Sequence, residues 1–183
     1  MPTNETIIAQ TTNWLRQVVV GCNFCPFAKK ELSRGSIHFE IVRATDLETC
    51  AAAVIRECER LDGDDSIETT LIVYPDACAD FNDFLDLIEL AENVLIENDY
   101  EGIYQVASFH PDYCFEGAPK DDPANYTNRS LYPMLHLLRE DSLTDALENY
   151  PNPEDIPERN IAFARKKGLA HMKALQEACR QMD

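Results

Sequence analysis

The chain has 183 residues, a length that suits one domain with a proper core. Its 45% hydrophobic and 27% charged content is that of a globular protein, and no apolar run approaches the ~18 residues of a membrane span. A net charge of −17 argues against nucleic acid and anionic membranes as partners, since both bind through clustered Lys and Arg; a local pocket for a small anion stays open.

The N-terminus has no basic stretch followed by an apolar one, so no secretory signal is expected. Seven cysteines, with only one short pair, suggest reduced thiols in a cytoplasmic protein. Ile7, Ile8, Trp14, Leu15, Val18 and Val19 form a helical stripe over residues 5–20, and Gly21 can stop it. Val18–Val20 also suits a short strand. Pro26 then fits the first turn of a new helix, with Cys25 beside its N-cap.

Residues 37–42 alternate as a strand does. A helix follows over 46–61, capped by Thr45 or Asp46. The acidic loop 61–66 lacks the residue order of a calcium loop. A second strand spans 68–74, and Asp80 caps a helix over 81–98. A third strand covers 103–109. Helices are expected at 131–139 and 142–149, then a Pro-rich connector at 150–157 and an amphipathic helix at 157–182. Strands separated by helices imply one α/β layered domain over residues 1–183. Its small mixed or parallel sheet has at least three strands and is covered by helices.

The stretch 101–140 carries the densest chemistry. His110 ends a strand, a polar loop holds Asp122, Asn125, Asn128 and Arg129, and the expected helix 131–139 follows. Helical spacing would put Tyr132, His136, Arg139 and Glu140 on one face, away from Leu131, Leu135 and Leu138. That face is either solvated or turned to a polar cleft. Ser130 and the asparagines can cap the helix, or, with Arg129, hold a carboxylate or phosphate. Cys22 and Cys25 form a CxxC, which suits redox chemistry or half a zinc site. No proline precedes the third strand where a thioredoxin-like fold needs one. Cys25 is the better candidate for a reactive thiol, with burial as an inert core residue its alternative.

GCNFCPFA at 21–28, QVASFHP at 105–111, NYTNRS at 125–130 and HLLRE at 136–140 together resemble the bacterial family called domain of unknown function 1415. The likeness runs along nearly the whole chain. That family's pattern is closer to GLNLCPFA and RSPYP, which leaves Cys22 outside the motif. The resemblance implies no activity.

Three readings follow. The first is an enzyme acting on a small anionic molecule, with Cys25, His110 and His136 catalytic and Asn125, Asn128, Arg129, Tyr132 and Arg139 binding substrate. The second is a metal- or cofactor-binding protein, the metal held by Cys25, His110, Asp122 and His136; no particular cofactor is specified. The third is a non-catalytic interaction domain. The first expects His110, His136 and Arg129 to converge in one cleft.

Overall fold

The computed structural model describes residues 1–181. Its centre is a four-stranded mixed sheet built from β1 (Ile37–Ile41), β2 (Thr69–Val73), β3 (Tyr104–Phe109) and β4 (Met134–Arg139), in the order β1-β2-β4-β3. β1 and β2 are parallel, while β4 runs antiparallel to both β2 and β3. The α/β class expected from the alternation of elements is the one found.

β2, β3 and β4 divide their side chains between two apolar layers, as period-two geometry demands. Ile72, Leu135, Leu137 and Tyr104 face α3 (Leu47–Gly63) and α4 (Phe81–Glu97). Leu71, Val73, Met134 and Phe109 face the opposite layer. That layer contains α1 (Asn4–Trp14), α6 (Ile156–Lys167) and α7 (Leu169–Ala178). The expected caps of the long helices are present: Asp46 accepts from the Thr49 N–H and Asp80 from the Asn82 N–H.

The helix expected at 131–139 is strand β4 instead. Its position between β2 and β3 buries both faces, so apolar residues fall on both sides and the strand period is hidden. The spacing of Leu131, Leu135 and Leu138 imitates a helix by coincidence. Ser130 therefore caps nothing and donates to the Tyr132 carbonyl. α5 (Glu140–Glu148) begins directly where β4 ends.

The expected C-terminal helix is divided at Gly168, whose φ of 83° an L side chain rarely adopts. The expected end at residue 182 lies outside the described residues. After α1 the chain widens into a π-helical turn, Leu15–Val20, which excludes the strand alternative for Val18–Val20. Gly21 closes that turn, and a Cβ there would stand 2.2 Å from the Gln17 carbonyl oxygen. α2 (Ala28–Arg34) starts two residues later than Pro26 suggests. No helix among the described residues is long and apolar enough to cross a membrane.

Candidate functional site

A cavity of about 720 Å³ lies on the α1 side of the sheet. Its floor includes Thr69, Leu71, Ala107 and His136, which neighbouring strands place side by side: Ala107 pairs with His136, and His136 with Leu71. One wall is Trp14, Leu15 and Val19, from the end of α1 and the π-helical turn. The Cys25–Ala28 turn supplies a second wall, and α5 contributes Ser142, Leu143 and Ala146 as a third. The exposed lining residues Lys30, Asp145 and Asn149 mark a mouth between α2 and α5. The apolar lining suits a small-molecule site, and the volume falls in the usual range for one.

His136 is the polar point of the floor. Its Nε2 lies 2.7 Å from Thr69 Oγ1, and the Thr69 hydroxyl donates its single proton to the Leu137 carbonyl. The hydroxyl oxygen must then accept from Nε2–H, which fixes the neutral tautomer with a lone pair on Nδ1. Nδ1 has no protein hydrogen-bond partner among the described residues. Burial pushes the imidazole pKa down to about 4, so the ring is uncharged at neutral pH.

Cys25 also lines the cavity; Cys22 does not. Burial raises the Cys25 thiol pKa, and nearby Phe27 and Ala28 N–H groups only partly offset this. Cys25 precedes α2 and is not at its first turn, so the helix end gives it less help than the sequence promised.

The other expected site residues go elsewhere. His110 is fully buried against Phe81 and Phe84 of α4, on the far face of the sheet from His136. Both its nitrogens are engaged: Nε2 with the Cys78 carbonyl at 2.8 Å and Nδ1 with the Asp112 N–H at 3.0 Å. Arg129 donates to the Tyr113 and Lys120 carbonyls and stacks over Tyr126. Arg139 points to the face opposite His136, donating to the Leu61 and Ile67 carbonyls. Residues 136 and 139 share a face on a helix and oppose one another on a strand. The expected single cleft of His110, His136 and Arg129 is therefore not formed, nor is the arginine clamp for an anion.

Asn125 is buried and organises its own loop, accepting from the Phe115 N–H and donating to the Pro119 and Lys120 carbonyls. Asn128 accepts from the Thr127 hydroxyl, and Tyr132 bonds Gln10. Asp122 caps the 3₁₀ turn Pro123–Thr127 and pairs with Arg165 at 2.7 Å. Cys25, His110, Asp122 and His136 thus do not gather as a ligand set. Of the expected residues, the cavity unites Cys25 and His136, and Arg139 borders it while its guanidinium is spent on the Leu61 and Ile67 carbonyls.

Sequence reasoning missed Thr69, Trp14 and Ala107 as lining residues. The Thr-Thr pair at 69–70 inside an apolar strand was the available signal, since a buried hydroxyl needs a partner. Comparison with curated proteins and with solved structures finds no match. A family model described as "Protein of unknown function (DUF1415)" matches residues 6–174, and the chain belongs to that family.

Proposed function

We propose that the protein binds a small, uncharged, mainly apolar molecule in the cavity over the sheet. The observation that carries this reading is His136, a neutral imidazole held by Thr69 at the floor of an apolar chamber. An Nδ1 lone pair there would accept a hydrogen bond from a hydroxyl or N–H of the ligand, worth more in a dry site than in water. The lining carries three acids, Glu31, Glu68 and Asp145, against Lys30 and Arg139, and the Arg139 guanidinium is turned to the other face, which does not favour an anion. The π-helical turn at the wall also fits, because such turns recur at functional sites.

Catalysis is the second reading. A histidine oriented by a hydroxyl, with its other nitrogen free, is equipped to accept a proton from a bound molecule. Cys25 stands at the same cavity as a protonated thiol. The protein acts as one domain, since both apolar layers rest on the same sheet. Seven free cysteines support a reducing compartment, the cytoplasm. The charge of −17 supports the absence of nucleic-acid partners.

Trp14, the single tryptophan, lines the cavity and reports on its contents. Titration with a panel of small phenols and aliphatic alcohols should change Trp14 fluorescence saturably. Ala107→Phe should abolish the change by filling the floor. If no compound gives a saturable signal and denaturing extraction releases no co-purified molecule, the binding reading fails. Turnover of a bound compound, lost in His136→Gln, would establish the second reading.

A further inference from the structure

A second cluster of ligating groups lies on the opposite face of the sheet, remote from the cavity. Alternation along the edge strand β1 brings His38 and Glu40 to the α3 side, and Glu57 on α3 meets them. His38 Nε2 is 3.7 Å from Glu57 Oε2 and 3.8 Å from Glu40 Oε2. One ligand atom from each residue fits within a common 4.8 Å.

We propose that His38, Glu40 and Glu57 form a site for a first-row divalent metal ion such as Zn²⁺. Three independent features point there. His38 Nε2 is buried and has no hydrogen-bond partner, although the ring's outer edge reaches solvent. An orphaned ring nitrogen between two carboxylates is unfavourable in either neutral tautomer. As N–H it is unpaired, and as a lone pair it faces two negative oxygens. A cation at their centre resolves both faults.

The second feature is the buried carboxylate. The Glu57 side chain is only 1% exposed, and one cation serves both carboxylates: Arg60 Nε contacts the two Glu57 oxygens at 3.1 and 3.0 Å and its guanidinium lies 4.0 Å from Glu40 Oε2, while Thr70 is 3.4 Å from Glu57. Two carboxylates and Arg60 sum to a charge of −1 around the imidazole. The third feature is spacing. Ligands about 2.1 Å from an ion stand about 3.4 Å apart at tetrahedral angles, so the two distances from His38 to the carboxylates need to contract by only a few tenths of an ångström, with the two carboxylates closing from within 4.8 Å. One imidazole with two carboxylates suits zinc and its neighbours better than the all-oxygen shells of Ca²⁺ or Mg²⁺. Glu40 and His38 stand partly open at the rim, which gives the ion an entry path. Arg60 Nε now contacts both Glu57 oxygens; it can keep Oε1 while Oε2 turns to the metal, orienting the carboxylate as partners of metal ligands do.

The competing account is a protonated His38 paired with the two glutamates, without any metal. Calorimetric titration of the full chain with Zn²⁺ at pH 7.5 distinguishes them. One saturable equivalent is expected. Its affinity should fall by about tenfold or more in His38→Gln and in Glu40→Gln, since even second-sphere partners carry that much. Glu40 is at the rim, so its variant remains informative should His38→Gln fold poorly. Co²⁺ reports the ligand type: weak visible bands without thiolate charge transfer are expected, which separates this site from the seven thiols. Absence of saturable Zn²⁺ binding overturns the proposal. So does uptake unchanged in both variants, or a thiolate–cobalt band that persists in His38→Gln.

Discussion

Thr69 and His136 face each other across β2 and β4, with Oγ1 and Nε2 2.7 Å apart, and the threonine hydroxyl is already committed to the Leu137 carbonyl. The pair fixes which imidazole nitrogen carries the proton. Replacing Thr69 by Val keeps the shape and removes the acceptor. A buried donor left unpaired costs about 1–3 kcal/mol, which chemical denaturation should register. The ¹⁵N spectrum of wild type should show Nε2 protonated, and the variant should lose that tautomer preference.

Protonation of His136 should couple folding to pH. Its folded pKa, near 4, lies below the ordinary 6.5, so between these values the unfolded chain binds more protons. Stability is then fully present above about pH 6.5, declines as pH falls, and levels off below about 4. The contribution is at most about 3 kcal/mol. Burial lowers the His110 pKa as well and acts in the same direction. The difference between wild type and His136→Gln isolates His136. If that difference is flat from pH 7 to pH 4, the imidazole is not buried as described.

Thiol labelling should rank by burial. Cys50, Cys78 and Cys179 are raised to about 11 and Cys58 to about 12, chiefly by burial. Cys25 is half-buried and should label before these four, though slowly at neutral pH because its own pKa is raised. A compound occupying the cavity should protect Cys25 and leave Cys22 reactive. Peptide mapping after brief alkylation checks both orders.

Arg139 borders the cavity, but its guanidinium is directed to the other face, so it should matter chiefly for stability. Its guanidinium ties β4 to the Leu61 carbonyl at 2.6 Å, near the end of α3, and to Ile67 at 3.1 Å. It also sits near Tyr104, whose hydroxyl donates to Asp62. Arg139→Met should lower stability by about 1.5–3 kcal/mol, the range for hydrogen bonds to charged groups, while Trp14-detected binding stays unchanged. A loss of binding without a loss of stability would reverse this assignment.

These residues also show what the sequence could disclose. The first three strands and the long helices declared themselves through alternation, caps and apolar stripes. β4 did not, because a strand sandwiched on both faces loses its alternation, and Leu131, Leu135 and Leu138 fell on a helical period. That one misreading moved His136, Arg139 and Tyr132 together. Cys25 and His136 were legible because thiol and imidazole carry chemistry wherever they stand. His110 and Arg129 looked equally active, yet their hydrogen-bonding capacity is spent on loop carbonyls and amides, which residue type cannot reveal. Trp14 looked like ordinary core, since the same side chain can fill a core or line a chamber.

The strand order has a further consequence, for the time course of folding. β4 is the last strand to be synthesised, yet it lies between β2 and β3. Until residues 134–139 leave the ribosome, β3 has no partner and β2 presents an open edge. The parallel β1–β2 unit can form early with α3 across it, but neither apolar layer closes until the central strand inserts. Insertion between two existing strands is a non-local step of the kind that slows folding and prolongs exposure of sticky edges. A nascent chain arrested before β4 has emerged should therefore aggregate or recruit a chaperone, whereas one arrested after β4 has left the ribosome has its whole sheet in hand.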